Sequence, residues 1–179
     1  MFDLIRLKWY SDDLTLCDLQ FGFNENRSTD MCTMMLKESV SYYVNSSSSV
    51  VCIFLDVSKA FDSVAYCQLF CLLIKRGIPA VIMRFLCNMY VDQRTTLVWN
   101  GVYSAMLSVS NGVNHGGIAN LIIFSLYIDE LLLKLADSGV GCCFAKFYVD
   151  TLAYADDIVL LTPSASCMRT MLSYCEYFA

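Results

Sequence analysis

Apolar and polar positions fall along this chain in blocks whose period changes several times, and each block predicts an element. From Thr29 to Val44, the residues Met31, Met34, Met35 and Tyr42 recur at helical intervals, with Ser28 or Thr29 placed to cap the first turn. Asn45-Ser46-Ser47-Ser48-Ser49 then interrupts as a polar loop. Beyond it, Val50-Val51-Cys52-Ile53-Phe54-Leu55 is a continuous β-favouring run ending at Asp56, the pattern of a strand buried on both faces. Two helices are predicted next, over about 62–76 and about 80–90, divided by Gly77-Ile78-Pro79, where Gly ends one helix and Pro helps start the other. Arg94 to Trp99 and Val102 to Val109 flank Asn100-Gly101, a pair suited to positive φ at both centres of a type I′ hairpin turn. A glycine-rich loop, Asn111 to Gly117, leads into a long helix over about 118–136. The last third predicts a second hairpin, Thr151 to Ala155 against Ile158 to Leu161, and a closing helix after Pro163. No internal repeat is found. The resulting order of helix, strand, two helices, hairpin, helix, hairpin and helix describes an α+β domain with a small antiparallel sheet packed on helices.

Composition narrows this picture. A length of 179 residues with 57% hydrophobic content supports one compact domain. The longest apolar run of the second half, Leu121 to Ile128, contains Ser125 and is closed by Asn120 and Asp129. That is short of the roughly 18 apolar residues a membrane span needs. Asp3, Arg6 and Lys8 stand where a secretory signal would be apolar, so an intracellular protein with no membrane partner is expected. The ten cysteines contain no C-x-x-C pair and His115 is the only histidine, which argues for reduced, mostly buried thiols and against a structural zinc. Twelve basic against 17 acidic residues give a net charge of −5, an awkward balance for a chain that holds nucleic acid by its phosphates. Arg27, Lys59, Lys75, Arg76 and Arg94 are too scattered to form a basic track and read as solvated surface charges.

Candidate chemistry lies in the carboxylates. Asp156 and Asp157 sit at the tip of the last predicted hairpin, between Leu152-Ala153 and Ile158-Val159-Leu160-Leu161. Turn chemistry alone accounts for polar residues there. Asp56 ends the apolar strand, where such a residue commonly caps a following helix, a role that also suits Asp62. If that strand lies beside the hairpin, however, three carboxylates converge at the edge of one sheet, and their mutual repulsion makes the cluster costly without cations. Oxygen ligands of this kind suit Mg²⁺, and two ions about 4 Å apart would serve in-line nucleotidyl transfer.

Three segments in this order, Phe54-Leu55-Asp56-Val57-Ser58-Lys59-Ala60-Phe61-Asp62, then Gly112-Val113-Asn114-His115-Gly116-Gly117, then Leu152 through Leu161 with Tyr154-Ala155-Asp156-Asp157 inside it, resemble the ordered motifs of reverse transcriptases from non-LTR (LINE-like) retrotransposons. The stretch Gln20 to Asp30 also resembles the segment that precedes the first motif in that family. The resemblance runs from about Leu19 to Cys175. It implies a lead-in over 1–18 and a palm core of a right-hand polymerase over 19–179, with fingers and thumb largely missing.

By this resemblance Asp56, Asp156 and Asp157 are catalytic, and those carboxylates with the carbonyl of Val57 ligate two Mg²⁺ ions, with Mn²⁺ as a substitute. Phe61 packs beneath the incoming sugar and favours dNTP over NTP, although outside the family context it reads equally as a core phenylalanine. His115 and Gly116 contact the nucleotide, while Tyr154 and Ala155 line the primer terminus. The implied partners are an RNA template, a DNA primer, dNTPs and further polyprotein segments.

Departures from the family pattern concentrate in the glycine-rich loop. Asn114 and His115 replace the usual Arg and Gln, and Asn120 and Leu121 stand where Ser and Pro are usual. Two other readings therefore accompany the polymerase: an inert, truncated mobile-element remnant acting as a binding or scaffolding piece, and a hydrophobic interaction domain. The last rests on a mean hydropathy of +0.53 and implies poor solubility.

Overall fold

The computed structural model describes residues 16–22, 24, 26–57, 59–113, 118–144 and 147–178. By compactness the described chain divides into two units, one over 59–124 and the other over 16–57 and 125–178.

The second unit holds the sheet. Helix α1 (Thr29–Asn45) starts at Ser28, whose side chain accepts a hydrogen bond from the Met31 amide at 3.3 Å, an N-cap as expected. Its inward face differs from the expected one. Met31, Met34 and Tyr42 are exposed, whereas Cys32, Met35, Leu36, Val40 and Tyr43 pack on a core of Phe21, Cys142, Val149, Leu152 and Leu161. Both sets have helical spacing, and the stripe that faces the sheet is the one that includes Leu36 and Val40.

Strand β1 (Val51–Asp56) pairs antiparallel with the strand over Asp157–Thr162, which is central and pairs on its other side with the strand over Thr151–Tyr154. The expectation of a strand buried on both faces is corrected here: β1 is an edge strand, and Phe54 is 70% exposed. The central strand takes that place, with Ile158, Leu160, Leu161 and Thr162 all buried.

In the first unit the helix expected from about residue 62 starts later. Residues 59–63 form turns, with Lys59 at φ 54°, and α2 runs from Tyr66 to Lys75. Asp62 is therefore no cap; Ala65 holds that position without a side-chain bond. Gly77, at φ 77°, and Pro79 separate it from α3 (Ala80–Tyr90), as expected. Leu69, Leu72 and Leu73 of α2 and Ile82, Met83, Leu86 and Tyr90 of α3 are buried. An arm follows, built from β2 (Arg94–Thr95) against β5 (Leu107–Ser108) and β3 (Val98–Trp99) against β4 (Val102–Tyr103). Asn100 and Gly101 turn it with φ of 50° and 78°.

Helix α4 (Ile118–Asp137) begins in the first unit and continues into the second. The sequence pattern missed the next hairpin, β6 (Cys142–Phe144) with β7 (Phe147–Val149). The chain then enters β8 (Thr151–Tyr154) and β9 (Asp157–Thr162) and closes with α5 (Ala165–Phe178), which packs on β9. All ten cysteines are free, but the expectation of mostly buried thiols is corrected: Cys142 alone is fully buried, six are half-buried, and Cys67, Cys71 and Cys143 are exposed. Among the described residues no helix is long and apolar enough to cross a membrane.

Candidate active site

Register brings the motif carboxylates to one end of the three-stranded sheet. Asp56, the last residue of β1, lies directly opposite Asp157, the first of β9, and Asp157 in turn lies opposite Tyr154 of β8. Asp156 occupies the turn between β8 and β9, after Ala155, whose φ of 59° reverses the chain. Asp56 and Asp157 are exposed and Asp156 is half-buried. Directly opposed residues of an antiparallel pair have Cβ atoms about 5 Å apart, and like charges so placed repel. Val57 follows β1 immediately and is half-buried.

Among the described residues, no three His, Cys, Asp or Glu side chains stand close enough together to hold a metal ion. The backbone thus juxtaposes Asp56, Asp156 and Asp157, while their side chains do not close into one coordination cluster. The donors themselves are all hard carboxylate oxygens, which fit Mg²⁺ or Mn²⁺ and not a soft metal.

The turn that carries Asp156 is held from behind by the segment before α1. Ala153 donates to the Leu19 carbonyl at 2.9 Å and Phe21 donates to the Ala153 carbonyl at 2.7 Å, so this segment runs parallel to β8 along its outer edge. Gln20 Oε1 accepts from the Gly22 amide at 3.0 Å. A Cβ on Gly22 would overlap the Ala155 nitrogen and come within 2.9 Å of the Ala155 Cα. Only glycine lets this strap lie against the turn. Arg27 pins the same strap by donating to the Asp18 carbonyl and by an ion pair with its carboxylate at 2.9 Å, and it lies over the Phe21 ring.

Other sequence-predicted residues fall elsewhere. Phe61 belongs to the first unit, buried and stacked on Phe124 with ring centroids 4.1 Å apart. The Phe61 carbonyl accepts from Val113 at 2.8 Å and the Val64 carbonyl accepts from Gly112 at 2.9 Å, which straps the start of the glycine-rich loop to the turn after the first motif. Gly112, at φ 92°, would press a Cβ to 2.8 Å from the Asp62 Cα. His115 and Gly116 lie outside the described residues.

Beside the sheet lies a buried carboxylate that no motif pointed to. Asp150, at the entry to β8, is fully buried, and neither carboxylate oxygen has a hydrogen-bond partner. Desolvation raises its pKa to about 6. The adjacent Tyr148 hydroxyl, also buried and unpartnered, is pushed up to about 12 by burial and by that carboxylate. No sequence signal marks this pair, because its burial depends on what covers it.

The reverse transcriptase (RNA-dependent DNA polymerase) family model matches residues 4–179. Among relatives, a Pol polyprotein from the type-1 retrotransposable element R2 of Popillia japonica is 28% identical over 69% of this chain and 21% of its own length. One from the type-2 element R2DM of Drosophila melanogaster is 31% identical over 66% of this chain and 11% of its own. The chain therefore spans only a small part of the relatives it matches. A solved apo telomerase from Candida tropicalis, truncated from the C-terminal domain, superposes with a TM-score of 0.54 over 84% of this chain and 32% of that one, at 12% identity, which shows a shared fold. With the motif aspartates at one end of a palm-like α+β sheet and the family model matched along nearly the whole chain, the protein belongs to the reverse transcriptase family, as a reverse transcriptase domain of the non-LTR retrotransposon kind.

Proposed function

We propose that this chain supplies the catalytic palm for RNA-directed DNA synthesis, transferring dNTPs to a primer 3′-hydroxyl on an RNA template within a longer retrotransposon polyprotein. The observation that carries this reading is the register of Asp56 against Asp157 beside the Asp156 turn. Asp56, Asp156, Asp157 and the Val57 carbonyl hold the divalent cations. When bound, these cations supply Lewis-acid activation of the attacking hydroxyl and charge neutralisation on the leaving pyrophosphate. The carboxylates orient that hydroxyl through their placement on a hydrogen-bonded sheet, a more rigid mount than a loop.

Tyr154 and Ala155, at the turn beside Asp157, line the primer terminus. The roles at the nucleotide that the family resemblance implies for Phe61, His115 and Gly116 remain part of this proposal.

Primer extension on an oligo-primed RNA template with dNTPs and Mg²⁺ or Mn²⁺ tests this reading, with Asp156→Asn beside the parent chain. Extension by the parent, reduced on the order of a hundredfold or more in the variant, is expected. No extension by a parent shown to be folded would overturn it in favour of an inert palm remnant.

A further inference from the structure

We propose that Phe54 is a positioning residue that seats the primer strand about two nucleotides behind its 3′ end, a role resting on the carboxylate reading above. Residues two apart on a strand share a face, so Phe54 and Asp56 lie on the same side of β1. On that side the neighbours across the sheet are Asp157 and Val159 of β9, then Tyr154 and Leu152 of β8. The face divides along its length. Its lower part, with Cys52, Leu152 and Leu161, joins the core on which α1 packs. Its upper part carries Phe54, Asp56, Asp157 and Tyr154, all exposed.

A phenylalanine 70% exposed on a strand whose other apolar residues are half-buried is a position that core packing does not explain. Its location limits what can cover it. Strand rise is about 3.3 Å per residue, so Phe54 lies about 7 Å from Asp56, roughly the height of two stacked bases at about 3.4 Å each. A primer whose 3′ end reaches the carboxylates therefore passes over this ring. A protein segment laid on Phe54 would instead extend over Asp56 and Asp157 and desolvate both carboxylates, at a cost that a nucleotide bound through cations does not incur. Apolar, uncharged stacking also suits this position, since none of Phe54, Asp56, Asp157 and Tyr154 is basic and every base has a π-face to offer.

Photocrosslinking tests this. A DNA primer carrying 5-iodo-2′-deoxyuridine two nucleotides from its 3′ end, annealed to an RNA template, is irradiated with the chain in Mg²⁺ without dNTPs, and adducts are mapped by peptide mass spectrometry. An adduct on Phe54 is expected, together with a duplex affinity about tenfold weaker in Phe54→Ala and largely restored in Phe54→Tyr. Adducts elsewhere, with equal duplex retention by parent and Phe54→Ala, would overturn the inference. So would a change in self-association in Phe54→Ala without a change in duplex retention, because the patch would then seat protein. Both of those outcomes leave the carboxylate reading to be judged by Asp156→Asn in primer extension. Failure of the folded parent to retain the duplex at all overturns both.

Discussion

Asp56 and Asp157 face each other as cross-strand partners, and the repulsion between them bears on both stability and activity. Removing one charge relieves it. Asp157→Asn is therefore expected to raise the thermal midpoint in metal-free buffer by roughly 1–3 °C while lowering primer extension, a pairing that calorimetry and extension assays would reveal together. A midpoint unchanged or lowered would count against the opposition of charges. Asp150 acts in the opposite sense. Its folded pKa of about 6 lies above the ordinary value of 3.8, so the folded state holds its proton more tightly than the unfolded one. The stability this gives is fully present below about pH 4 and is lost as pH rises through 6, amounting to about 3 kcal/mol by pH 7.5. Thermal midpoints of the parent between pH 4.5 and 7.5 should fall across that window, and Asp150→Asn should flatten the fall. The motif aspartates were legible because carboxylates next to apolar strands are conspicuous in a sequence. Asp150 was not, because Val149-Asp150-Thr151 has the form of an ordinary turn, and only the packed structure reveals that it is buried.

Elements whose boundaries are set by local chemistry matched the sequence closely. Helix α3 runs over Ala80–Tyr90, as the Gly77 and Pro79 signals imply, and the Asn100-Gly101 turn forms with both residues at positive φ. Elements decided by tertiary partners did not. Hydrophobic content alone could not say whether β1 or β9 is central, since that depends on pairing order. The β6–β7 hairpin was missed because Ala145-Lys146, between its strands, carries none of the Gly, Asn or Asp that announces a tight turn. The strap at 19–22 left only a family resemblance in the sequence, yet it makes a sharp claim about Gly22. Gly22→Ala would push a methyl group into the Ala155 backbone. A loss of about 1–3 kcal/mol in stability is expected, with a larger loss in extension than in stability because the displaced turn carries Asp156. Urea denaturation beside extension assays would check both. A fully active, fully stable variant would remove the strap from the account of the site.

At the scale of the whole molecule, charge and exposed apolar surface matter most. The net charge of −5 leaves the chain poorly suited to grip phosphates by itself, and the proposed reading accordingly assigns recognition to cations at the carboxylates and to stacking. Trp99 is 85% exposed, and Val102 and Tyr103 are exposed beside it on the β-arm. Replacing Trp99 and Val102 with Thr is expected to reduce self-association in light scattering while moving the thermal midpoint by no more than about 2 °C, since neither side chain is in the core.

The central claim, that the end of the β1-β9-β8 sheet holds divalent cations, can be tested without any nucleic acid by iron-directed backbone cleavage, in which Fe²⁺ replaces Mg²⁺ and generates radicals that cut the chain near its ligands. Cuts clustered near 56–57 and 155–157, suppressed by excess Mg²⁺ and lost in Asp156→Asn, are the predicted result. Cuts scattered along the chain, or a pattern unaltered in Asp156→Asn, would contradict it.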